Sequence, residues 1–182
     1  MSENRKPIYL FADSQLLFWR PRGEPFLLTL RNLIEPQSCK AAYVGASNDN
    51  NPVYYSIFES AVKSIGVTDY RMISASPSEA EVSFVEQADL ILLSGGDVQK
   101  GWKAFERSGL KQIMIGRYHT GVILIGISAG AVQLGMFGCA ENDTRCEDLF
   151  PTFGLVPFVI SAHDEKDNWS GLKKCSAELR GK

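Results

Sequence analysis

Histidine is scarce in this chain. There are two, His119 and His163, beside four cysteines, Cys39, Cys139, Cys146 and Cys175, none of which forms a Cys-x-x-Cys pair. A structural zinc site needs four such ligands at short spacings, so no metal is expected, nor any cofactor. The cysteines read as buried or idle thiols. Long apolar runs are missing as well: the longest, residues 122–127 with their neighbours, falls far short of the roughly 20 residues that cross a bilayer. Nor does one charge dominate, since Lys plus Arg number 19 and Asp plus Glu 21, a net charge of −2. Without a positive field the chain carries no footprint of nucleic acid or of an anionic membrane, which leaves a small molecule or peptide as its partner. The polar start, Met1-Ser-Glu-Asn-Arg-Lys, leads into a short apolar segment with no small-residue cleavage site. It does not resemble a secretory signal, and a cytoplasmic location is expected. Oligomeric state is not legible in these features.

What is present is the composition of an ordinary globular domain: 182 residues, 45% hydrophobic and 22% charged, with 16 glycines. That length buries a core without disulfides or metals, and one domain over residues 1–182 is expected. Residues 8–12 and 41–46 are apolar and β-prone, separated by a helix-like segment bearing Phe26, Leu27, Leu30, Leu33 and Ile34. Asn51-Pro52 supplies an N-cap and a first-turn proline for a helix with apolar residues at Tyr54, Ile57, Phe58, Ala61, Val62 and Ile65. A third strand follows at residues 70–73. Ser76-Pro77-Ser78-Glu79 then reads as a capping box with proline at its second position, opening a helix that ends near Gln87. Residues 90–93 and 122–127 are continuous apolar runs, as expected of strands covered on both faces. Helices are expected over 102–107 and 112–118, another towards Gly135, and a last one over 169–180. A further strand is predicted at 155–160, and 136–152 reads as a long surface loop bordering the site. Strands and helices alternate, which implies a mostly parallel sheet with helices on both faces and sites at the carboxyl ends of its strands.

Gly126-Ile127-Ser128-Ala129-Gly130 has the Gly-x-Ser-x-Gly spacing of a nucleophile turn and stands between a buried strand and a helix. A tight strand-to-helix turn pushes the serine hydroxyl out over the sheet edge, and flanking glycines avoid the clash that side chains would make. The plainer alternative is a glycine-rich helix entry that is structural or binds an anion. A serine needs a base in reach, normally an imidazole. His163, expected at the carboxyl end of the 155–160 strand, shares a rim with Ser128, whereas His119 precedes the nucleophile strand and belongs at its opposite end. Acyl transfer also needs amide donors where the oxyanion develops. Ser94-Gly95-Gly96-Asp97 is placed to supply one, and the amide of Ala129 the other.

Three segments together resemble a known family: Leu92-Leu93-Ser94-Gly95-Gly96-Asp97, Gly126-Ile127-Ser128-Ala129-Gly130-Ala131, and Gly154-Leu155-Val156-Pro157 leading to Ala162-His163-Asp164. The chain is similar to cyanophycinase-like members of the dipeptidase E family of serine peptidases, from residue 8 to about residue 179. The resemblance implies a glutamine-amidotransferase-like α/β fold and cleavage of small aspartyl or isoaspartyl (β-aspartyl) peptides through an acyl-enzyme. It puts the nucleophile on Ser128, the base on His163 and the oxyanion donors on Gly96 and Ala129. The Gly-Gly-Asp form is nearer the cyanophycinase branch than the Gly-Gly-Asn-Thr of dipeptidase E. One member of the pattern is unmatched. The family's triad acid is a glutamate on a later strand, and neither Asp164, Glu165 nor Glu178 corresponds to it. Three expectations follow: the C-terminal strands are lacking, the chain is a degenerate, catalytically silent binding domain, or another acid substitutes. Residues 48–55 and the acidic loop 141–148 are candidates to line the pocket, the latter attracting a basic second residue.

Overall fold

A computed structural model describes residues 5–139 and 149–180. Five strands, β1 (Ile8–Phe11), β2 (Lys40–Val44), β3 (Asp69–Ile73), β4 (Leu90–Leu93) and β5 (Ile123–Ile127), form one sheet in the order β1-β5-β4-β2-β3. Every neighbouring pair is parallel, and the register sets Val44 beside Leu93, Leu93 beside Gly126 and Phe11 beside Ile127. The carboxyl ends of the four strands β1, β5, β4 and β2 therefore open onto a single rim. This is the mostly parallel α/β fold anticipated above.

Both faces are covered. On one, α1 (Phe26–Arg31) and α2 (Pro52–Ser64) set Phe26, Leu30, Phe58 and Val62 against Leu92 and Ile125. On the other lie α3 (Glu79–Gln87), α4 (Val98–Ser108), α5 (Leu110–His119) and α6 (Ala129–Leu134), which set Phe84, Phe105, Met114 and Leu134 against Ile91, Leu93 and Leu124. Successive residues of a strand point to opposite faces, so a strand buried on both sides has to be apolar throughout. All four residues of β4 and all five of β5 are buried. Among the described residues, no helix is long and apolar enough to cross a membrane.

Several local expectations are corrected. The capping box lies two residues later than the sequence suggested: Ser78 is the N-cap, its Oγ accepting from the Glu81 amide at 3.3 Å while Glu81 accepts from the Ser78 amide at 2.8 Å. This register prevails because the same carboxylate also accepts from the Ser74 amide at 2.8 Å, tying the helix to the end of β3. Leu33 and Ile34 fall outside α1, which ends at Arg31. The predicted 102–107 and 112–118 helices are longer, meeting at Gly109, whose left-handed φ of 76° ends one and opens the other.

The largest correction concerns residues 155–160, which form no strand. Their chain is committed to the end of α6: the amides of Phe153, Gly154 and Val156 donate to the carbonyls of Gln133, Gly135 and Leu134 at 3.0, 2.7 and 3.0 Å. A helix leaves its last carbonyls unpaired, and this strap satisfies them. Pro157 then has no amide to offer a ladder. Within the expected loop 136–152, β6 (Phe137–Gly138) and β7 (Phe150–Pro151) pair antiparallel. The acidic segment 141–148 lies outside the described residues. The last helix, α7 (Ser170–Arg180), is found where expected.

Candidate active site

The turn after β5 is built by exclusion. A Cβ on Gly126 would stand 2.7 Å from the Ala131 backbone, and one on Gly130 would stand 2.3 Å from the Leu93 carbonyl oxygen, so both positions require glycine for α6 to start this close to the sheet. Between them Ser128 takes φ 48° and ψ −109°, a conformation L-residues rarely adopt and which costs about 1–3 kcal/mol. The surroundings hold it there. Its amide donates to the Phe11 carbonyl at 2.8 Å, and its carbonyl accepts from the amides of Ala131 and Val132 at 2.9 and 3.1 Å. A serine at a helix start usually caps the helix with its hydroxyl. Here the hydroxyl makes no cap bond. It lies 3.1 Å from His163 Nε2 instead.

His163 reaches that position by a route the sequence did not suggest. It follows the strap beneath α6, in an exposed loop with φ 65°, rather than a strand end. The next residue anchors the loop: the Asp164 carboxylate accepts from the Leu172 amide in the first turn of α7 at 3.2 Å, and its carbonyl accepts from Trp169 at 2.9 Å. His119 closes α5 and is exposed, before β5 begins and so at the other end of the sheet from Ser128.

The loop after β4 is pressed against the turn after β2. The Asp97 amide donates to the Ser47 carbonyl at 2.9 Å, and at Gly96, φ 131°, a Cβ would fall 2.1 Å from that same oxygen. Beneath it, fully buried Gln133 donates through Nε2 to Ser47 Oγ at 3.1 Å and to the Val98 carbonyl at 2.9 Å. A Cβ on Gly95 would meet Ser128 Cβ at 3.3 Å, so the two turns touch. The amides of Gly96 and Ala129 donate to no group among the described residues.

With this geometry in view, comparison with known proteins decides the family. The sequence profile of Peptidase family S51 matches residues 20–175. The chain belongs to that family. A protein named Peptidase E from Streptomyces coelicolor is 25% identical over 130 residues, which span 70% of this chain and 52% of that relative. The chain thus spans about half the length of this curated relative. Two solved structures share the fold. One is a Listeria monocytogenes protein provisionally described as a peptidase E, at TM-score 0.70 and 14% identity over 93% of this chain and 87% of that one. The other is a peptidase from an acI-B1 Actinobacterium, at TM-score 0.71 and 17% identity over 96% of this chain and 76% of that one.

In this S51 chain two recesses meet at Ser128 and His163. The smaller, about 130 Å³, lies on the α1/α2 side and is walled by Leu17, Tyr43, Phe58, Leu92 and Ser94. The larger, about 420 Å³, lies towards α7 and includes Val132, Asp164, Asp167 and Lys174. Tyr54 alone represents the expected 48–55 lining. Sequence reasoning picked out the loop that begins at Ser94 but not the Ser94 side chain, and it missed Tyr43 and Gln133 as site residues. The signal for the last was a lone amide in the otherwise apolar Ala129–Leu134 helix.

No carboxylate bonds to the His163 ring among the described residues. Asp164 is engaged with Leu172, and Asp13, on the wall of the smaller recess, accepts from the Gln15 amide at 2.7 Å. Glu165 is exposed, and the Glu178 side chain lies outside the described residues. The expectation of four idle thiols fails at Cys175, which is disulfide-bonded. Cys39 fits it: burial, reinforced by Asp89, pushes its thiol up to about 12. The described residues hold no cluster suited to a metal.

Proposed function

We propose that this chain is a serine peptidase acting on small peptides through an acyl-enzyme. The observation that carries the reading is the 3.1 Å contact between Ser128 Oγ and His163 Nε2 at a turn whose strain frees the hydroxyl from capping. His163 takes the hydroxyl proton as Ser128 attacks the scissile carbonyl, and the amides of Gly96 and Ala129 receive the developing oxyanion. The imidazolium then protonates the leaving amine, and water repeats the cycle on the ester. Each oxyanion donor contributes about 3 kcal/mol to such a transition state. Neither metal nor cofactor enters any step.

The finer reading, implied by the resemblance and nearest its cyanophycinase branch, is cleavage beside an aspartyl or isoaspartyl residue. The lining of the larger recess carries both signs of charge, Lys174 with Asp164 and Asp167. That mixed lining supports an acidic group seated towards α7 and a basic neighbour beyond it. The absence of a carboxylate behind His163 among the described residues favours a second reading, a binding domain with a silent serine. A fluorophosphonate probe separates the two. Covalent labelling of the native chain that is absent in Ser128→Ala supports the peptidase; equal labelling of both removes the nucleophile assignment, and no labelling of either favours the binding domain.

A further inference from the structure

We propose that the smaller recess beside Ser128 is a side-chain pocket for an uncharged amide, that of asparagine or glutamine, and that it excludes aspartate and glutamate. This rests on the peptidase reading only for calling its occupant a substrate residue. Leu17, Phe58 and Leu92, all buried, form apolar walls, and Ile57 and Tyr54 stand nearer the opening. No lysine or arginine is among the described residues that line it, and the acid that does, Asp13, is on the same wall as Ser14. A carboxylate entering here would lose its hydration, would find no lysine or arginine to pair with, only the His163 ring that the reaction itself uses, and would meet the like charge of Asp13.

Two hydroxyls give the apolar walls a polar floor. Ser94 is 2% exposed, and its Oγ, next to the Tyr43 phenol, makes no hydrogen bond of normal geometry among the described residues. An unpaired buried hydroxyl is costly, and a ligand group that pairs with it recovers that cost. Tyr43 is 1% exposed and its phenol accepts from Asn48 Nδ2 at 3.0 Å, so its own hydrogen faces Ser94 and is there for a ligand acceptor that comes between the two hydroxyls. Burial raises the Tyr43 pKa, so the phenol stays protonated at neutral pH. A side-chain amide matches this pair: its carbonyl accepts from Tyr43 and its NH₂ donates to Ser94 Oγ. The size agrees. A protein cavity of about 150 Å³ holds benzene, so one of about 130 Å³ holds a carboxamide and its methylene stem.

The test uses Ser128→Ala, so that binding is read without turnover. Calorimetry compares Asn-Leu with Asp-Leu, and Leu-Asn amide with Leu-Asp amide, pairs that differ by charge and not by shape. The expected result is at least tenfold tighter binding of the asparagine peptide in one of the two series. Adding Ser94→Ala or, as an independent probe of the floor, Tyr43→Phe should reduce that asparagine-over-aspartate preference at least threefold. Equal or tighter binding of aspartate in both series, insensitivity of asparagine binding to both floor variants, or no binding by any peptide would overturn the proposal. The native chain, assayed for cleavage of the same peptides, tests the peptidase reading separately. Amide preference in binding without cleavage would sink that reading and keep this one; cleavage with aspartate preferred in both series would do the reverse.

Discussion

Strands β4 and β5 are neighbours in the sheet, both wholly buried, and each runs into a turn that joins a serine to glycines: Ser94-Gly95-Gly96 and Gly126-Ile127-Ser128. The two serines have opposite fates. Ser94 continues the direction of β4, stays 2% exposed and keeps its hydroxyl in the protein. Ser128 follows one residue after β5, turns to φ 48°, and presents its hydroxyl to His163. The same side chain on adjacent strands is kept inside the protein or turned towards a histidine according to its backbone, because φ and ψ decide where Cβ points before any rotamer is chosen.

The largest effect that would break this contrast is on activity. In the proposed mechanism Ser128→Ala removes the attacking atom, and kcat/KM on a cleaved peptide should fall by ~10⁴-fold or more, as for nucleophile removal in other serine hydrolases. Ser94→Ala should keep turnover of a control peptide with leucine in both positions within about tenfold. Near-equal losses would mean that the two turns share one role.

Next in size is a steric test of how the Ser128 turn is held. Gly130→Ala puts a Cβ 2.3 Å from the Leu93 carbonyl oxygen and so drives α6 away from β4. A loss of about 2–4 kcal/mol in chemical denaturation is expected. An unchanged midpoint would show that α6 is free to shift, and that the strained serine is not locked by packing.

A smaller effect should reach the Gly96 side. Gln133→Met keeps the volume of the side chain but removes its bonds to Ser47 and Val98, the residues that brace the loop carrying Gly96. As Gln133 touches no substrate, it is a positioning residue: kcat should drop about tenfold with KM changed less than about threefold. A rise in KM alone would assign the glutamine to binding.

The smallest effect sharpens the comparison by sign. Ser128→Gly should raise stability by about 1 kcal/mol, since glycine adopts φ 48° without strain. Ser94→Gly, where φ is not positive, should lower it by about 1 kcal/mol through unfolded-state entropy. Thermal melts of the two variants in the same direction would contradict the claim that strain resides at Ser128.

Elements with periodic patterns are legible in the order of residues alone. Continuous apolar runs announce β4 and β5, and Asn51-Pro52 announces α2, because full burial and helix capping write directly into residue type. Residues 155–160 read as a strand and form none, because an apolar run records burial and not the partner of its backbone; here the Val156 amide goes to the end of α6 and the Phe158 amide to the Val156 carbonyl. His163 meets Ser128 although no strand carries it to the rim, so the pairing is legible and its route is not. Tyr43, Ser94 and Gln133 give little readable signal, as a polar residue on a buried strand or helix has meaning only once its neighbours are known.

By itself, then, the sequence determined the alternation of strands and helices, the burial of the central strands and the glycine spacing around Ser128, all of which are local or periodic properties of the chain. Only the tertiary structure decided the route by which His163 reaches Ser128, that Gln133 braces the Gly96 loop, and that a recess without lysine or arginine adjoins Ser128. Those contacts join residues 35, 86 and more positions apart, and they depend on which strand lies beside which, a choice made by the packing of whole faces rather than by any residue's own preference.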